Sequence, residues 1–408
     1  MPDAPGKVAH GPDLSIEGNG VLTHQDTFGH GTFMAGIIAG RGATTPSSQL
    51  PFAPPSVQLG VAPDAKLLSL KLATTDGSTD VSQVIAALDW VTQNPVMPDG
   101  TRVRVINLSY GTDSAQGYQI DPLAAAAENA WKHGIVVVTS AGNSGTDTDQ
   151  LSDPAIDPFV LAVGAADSSD KVSGWAPNRT KAASFSNVSA GRHADLIAPG
   201  TSLVSLRAPG SYVDTKYPSG LVSGDDSGRL FRGSGTSQAG AVVSGAVANL
   251  LQAFPSLTPD QVKYALTSSA DPVKNADVDA VGAGMIDLGK AFDVAGQLVK
   301  TNAKGTALKA AAVQSFPAAT GQGRLDAARG PDAPVDADGN EISGEFDIQG
   351  IPWNAPAWWQ ASTSLTAWSG GQWMGTTWTG DSWATDGTGL ESARWSSARW
   401  SSARWSAA

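Results

Sequence analysis

Residues 121–145 read DPLAAAAENAWKHGIVVVTSAGNSG, and this stretch decides the fold class. Asp121 and Pro122 supply a capping side chain and a first-turn proline, and Gly134 ends the helix after Lys132 and His133. Residues 135–139 then form a short, β-branched run, apolar but for Thr139, that suits a strand buried on both faces. The same alternation recurs outward from here. Residues 66–72, 103–108 and 159–163 are strand candidates, and Val81, Val84, Ile85, Leu88 and Val91 have helical spacing. Helix–strand alternation predicts right-handed crossovers and a three-layer α/β fold with a mostly parallel sheet. In such sheets the functional residues lie just beyond the carboxyl ends of strands.

Composition removes several classes of function. The 408 residues are 41% hydrophobic and 16% charged, with a formal net charge of −12 and no cysteine. That excludes disulfides, thiol nucleophiles and cysteine-ligated metals. An acidic chain lacks the basic face on which non-specific nucleic-acid binding depends. No apolar run reaches the ~20 residues of a membrane span. The first residues carry neither a basic region nor an apolar core, so they do not read as a secretory signal.

The sequence divides into three parts. Residues 1–300 read as the α/β domain, and residues 301–352 as a linker rich in Ala, Gly, Pro and Asp. Residues 353–408 hold ten of the 13 tryptophans. Trp368, Trp373, Trp378 and Trp383 are five apart, as are Trp395, Trp400 and Trp405. A five-residue period matches neither a helix nor a strand, so the tail is expected to be low-complexity and disordered. Its indoles and arginines suit contact with a cell surface or cell wall.

Three segments carry chemistry. Gly29-His30-Gly31-Thr32 places an imidazole at the start of an apolar helical run, with Asp26 placed to cap it. Gly235-Thr236-Ser237-Gln238-Ala239 places a hydroxyl at the start of a second, where free N–H groups favour developing negative charge. Ser140-Ala141-Gly142-Asn143 follows the strand at 135–139, where the Asn143 amide can point into a cleft as a further oxyanion donor. Each has an ordinary alternative: a helix-end histidine, a serine cap, a plain turn. Their joint occurrence, in this order, is what carries weight.

Together these segments resemble the subtilisin-like serine proteases, over roughly residues 24–296. Asn107-Leu108-Ser109-Tyr110-Gly111 and Ile197-Ala198-Pro199-Gly200 add to the resemblance. It implies a serine endopeptidase in which Ser237 is the nucleophile, His30 the general base, and Asn143 with the Ser237 N–H the oxyanion hole. It further implies that Ser109, Tyr110 and Gly111, with Ser140, Ala141 and Gly142, flank an extended polypeptide substrate. No redox or organic cofactor is expected. Structural calcium is implied by the resemblance alone, and export to the cell exterior likewise.

The pattern is broken in three places. Phe33 replaces a second histidine, and Ala241 a proline four residues after the serine. The third break concerns the aspartate the family places at the end of an early buried strand. Only 29 residues precede His30, and Asp3, Asp13 and Asp26 are the aspartates among them. None follows an apolar run, so none is expected to serve, and the peptidase domain is expected to be N-terminally incomplete. Loss of that aspartate costs a subtilisin about 10⁴-fold in turnover. The alternative function is therefore an inactive relative that binds peptides without cleaving them.

Other motifs lead nowhere. An α/β-hydrolase elbow at Ser237 needs a later histidine, and the last in the chain is His193. Asp226-Ser227-Gly228 imitates the serine motif of an all-β protease class. Asp336, Asp338 and Asn340 imitate a calcium loop, but Glu341 stands where glycine is required, so no metal ligands are assigned.

Overall fold

The computed structural model describes residues 7–18, 21–41, 60–167, 180–332, 334–335, 344–378 and 394–395. The strands are β1 (Val8–Asp13), β2 (Leu67–Lys71), β3 (Val105–Leu108), β4 (Val136–Ser140), β5 (Leu161–Asp167), β6 (Lys181–Ala182), β7 (Leu196–Pro199), β8 (Leu203–Leu206) and β9 (Leu230–Gly233). The helices of the first 300 residues are α1 (His30–Ala39), α2 (Val81–Gln93), α3 (Pro122–Lys132), α4 (Tyr212–Lys216), α5 (Thr236–Ala253), α6 (Pro259–Ser269), α7 (Val278–Val281) and α8 (Leu288–Leu298). Then come α9 (Ala303–Ala312), α10 (Leu325–Arg329) and α11 (Ala355–Thr363).

The stretch 121–145 folds as its sequence demands. The Asp121 carboxylate accepts from the Leu123 and Ala124 N–H groups at 2.7 and 3.2 Å, which starts α3. Gly134 takes a φ of +87°, which a glycine adopts freely, and the chain turns into β4. All five β4 residues are buried, as a strand covered on both faces requires. β4 pairs in parallel with β3 (Val105↔Val136) and β5 (Val138↔Leu161), and β5 with β7 (Val163↔Leu196). Within this sheet, among the described residues, only β6, at the end of β5, is antiparallel. α5 lies across β3, β4, β5 and β7, with α1 against it, and α2 and α3 pack on each other. This is the expected three-layer α/β architecture.

Two expectations are corrected. First, residues 8–13 do form a strand that ends on an aspartate. β1 pairs in parallel with β2 (Val8↔Leu67, Ala9↔Leu68, His10↔Ser69). Its sequence hides this because the pairing is made by backbone, and Gly11 lies tight against its neighbours. A Cβ there would stand 3.0 Å from Leu70 Cγ and 3.2 Å from Trp90 Cζ3.

Second, residues 301–378 are neither a linker nor a disordered tail among the described residues. They strap α2 and α3. Glu128 of α3 accepts from the Ala319 N–H at 2.7 Å, and Asn129 donates to the Ser362 carbonyl at 3.1 Å. The buried Arg329 guanidinium donates to both oxygens of buried Asp80, the N-cap of α2, at 2.7 and 3.3 Å. Breaking one half of a buried ion pair strands the other charge. Arg329→Ala is therefore expected to cost about 3–5 kcal/mol, read as a lower urea midpoint with an unchanged slope.

The five-residue tryptophan period also has a structural cause. Trp368–Ser369, Gln372–Trp373 and Thr376–Thr377 form a three-stranded antiparallel meander. Its two turns, Gly370-Gly371 and Met374-Gly375, have φ of +57°, +82°, +51° and +85°. Positive φ at both central residues is the geometry of the tightest hairpins. Short strand plus tight turn makes the repeat, and Trp368, Trp373 and Trp378 are buried, which removes their indoles from any surface contact. Trp383, Trp400 and Trp405 lie outside the described residues, as does the calcium-loop imitation at 336–341.

Two indoles of this region, those of Trp358 and Trp373, converge on Asp89 of α2. Trp358 Nε1 and Trp373 Nε1 each donate to its Oδ2 at 2.9 Å, and the Ser362 hydroxyl donates to Oδ1. Burial pushes Asp89 up to about 6, against the three hydrogen bonds that pull it down. A carboxyl raised in the fold stabilises it fully below its unfolded value near 4, and that contribution is lost as pH rises through about 6. A rise of this size corresponds to about 3 kcal/mol. Asp89→Asn is expected to flatten the fall in stability between about pH 4 and 7, read by denaturation at each pH.

Candidate active site

The turn into α1 sets the imidazole. Asp26 accepts from the Gly29 N–H at 2.7 Å and the Thr32 N–H at 2.6 Å, so it caps the helix as its sequence position suggests. Gly29 has a φ of +104°, and a Cβ there would stand 2.4 Å from Ser211 Oγ. Only glycine makes this turn, which delivers His30 as the first residue of α1, 3% exposed. Burial pushes His30 down to about 3, so the ring is neutral at physiological pH. A neutral ring can accept a proton, but at so low a value it accepts weakly; a nearby carboxylate strengthens it. Asp13 and Asp26 are otherwise engaged. Asp13 accepts from the Ser15 N–H (3.0 Å), the Ser15 hydroxyl (2.6 Å) and the His24 N–H (2.7 Å). Asp3 lies outside the described residues.

The start of α5 gathers the other segments. The Thr236 N–H donates to Asn143 Oδ1 at 2.8 Å, and the Thr236 hydroxyl to the same oxygen at 3.0 Å. Two donors on Oδ1 fix the amide plane and put Nδ2 on its opposite corner. Ser237 follows, buried, as the second residue of α5. The Ser109 hydroxyl donates to the Ser237 carbonyl at 3.2 Å. One turn on, a Cβ at Gly240 would stand 3.9 Å from both Ser109 Oγ and Ser140 Oγ, an ordinary contact distance that shows how near the two hydroxyls lie to this helix. Chain positions 109, 140–143 and 236–237 thus meet at one helix end, and α1, which His30 opens, packs along α5.

The segment 140–142 is tied into the protein through its backbone. The Ala141 N–H donates to the Val163 carbonyl, and its own carbonyl accepts from Ser152 N–H at 3.0 Å. The Gly142 carbonyl accepts from the Asn187 N–H at 3.2 Å. These bonds tie Ala141 and Gly142 to β5 and to the loops carrying Ser152 and Asn187, and so anchor Asn143. Gly111 fits its place for steric reasons, since a Cβ would come 2.7 Å from Ser152 Cβ. Thr236 is the residue whose part the sequence did not disclose: its hydroxyl reads as a helix cap, but it reaches across 93 residues to Asn143. The two departures at 33 and 241 share one buried cluster with Phe28, Met34, Ile37, Val213 and Phe231. A large ring at one position and a methyl at the other fill that cluster together. Among the described residues no group of three or more His, Asp or Glu side chains is placed to hold a metal.

This mostly parallel three-layer sheet, with its polar loops collected at the start of one buried helix, is a subtilisin-like architecture. The chain belongs to the subtilase family, whose model matches residues 10–290. It is 34% identical over 293 residues to the serine protease AprX of Bacillus subtilis, covering 70% of this chain and 62% of AprX. It is 32% identical over 290 residues to subtilisin DY of Bacillus licheniformis, covering 69% of this chain and 86% of that protein. It is 36% identical over 273 residues to an extracellular serine proteinase of a Thermus strain, covering 66% of this chain and 52% of that protein. Among solved structures, MycP1 without its N-terminal propeptide matches with a TM-score of 0.50 at 28% identity, over 71% of this chain and 87% of that one.

Proposed function

We propose that the chain is a serine endopeptidase that cleaves extended polypeptide through an acyl-enzyme on Ser237. The observation that supports this reading is the double hydrogen bond from Thr236 to Asn143 Oδ1, made at the N-terminus of the helix whose second residue is Ser237. In this reading His30 takes the Ser237 proton as Oγ attacks the carbonyl, then returns it to the leaving amine. Asn143 Nδ2 and the Ser237 N–H hold the oxyanion, aided by the positive end of α5. Ser109, Tyr110 and Gly111 lie along the substrate. Asn143→Ala is expected to lower kcat by about 10²–10³, with KM changed far less, in a peptide-hydrolysis assay.

Membership of the family and the likeness to an extracellular proteinase support action outside the cell. No described helix is long and apolar enough to cross a membrane. A fluorophosphonate probe tests the reading directly: labelling of the folded chain, mapped to Ser237 by peptide mass spectrometry, is expected. A folded chain that takes no label would replace this reading with peptide binding without cleavage.

A further inference from the structure

The end of α10 lies against residues 112–116, which follow directly on the substrate-flanking segment 109–111. A helix leaves its last carbonyls short of partners of its own. Residues 112–115 take the Ala327 and Ala328 carbonyls of α10. The Ala328 carbonyl accepts from the Thr112 hydroxyl at 2.6 Å. The Ala327 carbonyl accepts from the Ala115 N–H at 2.9 Å and from the Ser114 hydroxyl at 3.2 Å. Gln116 and Arg324 exchange two further bonds, at 2.8 and 3.0 Å. Gly330 closes the helix at a φ of +74°, and a Cβ there would stand 2.4 Å from the Asp113 carbonyl oxygen. The two segments therefore pack backbone to backbone, and α10 is itself fixed to α2 through Arg329 and Asp80.

Residues 109–111 are held at both ends and open between. The Ser109 hydroxyl is tied to the Ser237 carbonyl on α5. Thr112 exchanges main-chain bonds with Asp153 at 3.1 and 2.8 Å, and its hydroxyl reaches the strap. Tyr110 is buried, and the charges acting on its phenol are Asp80, Asp153, Arg329 and Asp332, the last two from the strap. Among the described residues the Gly111 main chain makes no hydrogen bond. An open N–H and C=O suit strand addition, and the gain is larger when the segment is already held still.

We propose that α10 is a positioning element for the substrate: through Thr112 it holds residues 109–111 in the extended form with which a peptide pairs. The inference rests on the proteolytic reading for the place of those residues along the substrate. Thr112 is a positioning residue, since it acts on the peptide through Gly111. A peptide long enough to run along residues 109–111 feels the loss of this clamp. A reagent small enough to reach only Ser237 does not.

The test compares Thr112→Val, which removes the hydroxyl and keeps the branched shape, with Thr112→Ser, which keeps the hydroxyl. Each is made in the full chain, with Ser237 present and again with Ser237→Ala. In the Ser237→Ala chains, affinity for fluorescein-labelled octapeptides of mixed sequence is read by anisotropy and needs no turnover. Thr112→Val is expected to bind them about five- to tenfold more weakly, and Thr112→Ser within about twofold of the unaltered residue. With Ser237 present, KM for the same peptides is expected to rise by the same factor while kcat holds, the mark of lost uniform binding. The rate at which a small fluorophosphonate labels Ser237 is expected to stay within about twofold. A merely loosened fold would lower the labelled fraction and leave the affinity of the folded remainder unchanged. Should Thr112→Val not fold, Ser114→Ala, which removes one bond to Ala327, takes its place with an expected loss of about threefold. Unchanged peptide affinity, an equal loss in Thr112→Ser, labelling slowed as much as affinity falls, or no peptide binding at about 1 mM overturns the proposal. An unaltered chain that takes no label while the affinity difference persists overturns the proteolytic reading alone.

Discussion

A chain that stops at residue 352 is expected to lose most of its stability. The segment beyond supplies Trp358, Trp368, Trp373 and Trp378, all buried against α2 and α3. Replacing one buried tryptophan by alanine typically costs about 3–5 kcal/mol, and a whole domain is held by only about 5–15 kcal/mol. Truncation also strips α2 of its polar partners. Asp89 loses two indole N–H donors and a hydroxyl, the Ala86 carbonyl loses Trp368 Nε1, and Gln93 loses its paired bonds to the Trp368 backbone. A buried carboxyl without donors adds its own penalty. The expected result is aggregation, or a melting temperature lower by about 10 °C or more. A soluble 1–352 chain melting within about 2 °C of the full chain would show that the strap is decoration.

Ser237→Ala is expected to remove fluorophosphonate labelling and to lower peptide hydrolysis by about 10²-fold, because, of the ~10⁶-fold lost with a subtilisin nucleophile, about 10⁴ is already forgone where no aspartate supports the histidine. The change deletes one oxygen at a buried helix position, so stability should move by less than about 1 kcal/mol. Residual hydrolysis is expected to trace to the oxyanion donors, since Thr236, Asn143 and the helix dipole stay in place. Hydrolysis unchanged in Ser237→Ala, with the preparation shown free of other proteases, would move the chemistry to another residue.

How far the sequence disclosed this protein depends on the kind of interaction. Residues 121–145 were fully legible, because cap, helix, glycine stop and buried strand are all local signals. The site segments around His30, Asn143 and Ser237 were legible as motifs for the same reason. The Thr236–Asn143 contact was not, since it spans 93 residues and either side chain alone reads as a cap or turn. Strand β1 is not legible because His10, Gly11 and Pro12 carry no apolar pattern; its partner β2 makes it a strand. The tryptophan strap is not legible because a five-residue period matches no regular element. Its cause is a pair of positive-φ turns, and the ordering force is a buried acid on a helix some 284 residues earlier. The spent backbone of Ala141 could be seen only once Val163 and Ser152 were in place around it.

The bond from Trp373 to Asp89 has a further consequence during synthesis. At about 5–20 residues per second, a ribosome takes roughly 15–55 s to travel from one to the other. For that interval the outward side of α2 is made but lacks its cover, and Arg329 has yet to reach Asp80. The nascent protein must therefore remain open, or be held by chaperones, until its last hundred residues emerge. Early stop codons in this region should yield degraded product in place of a shorter working enzyme.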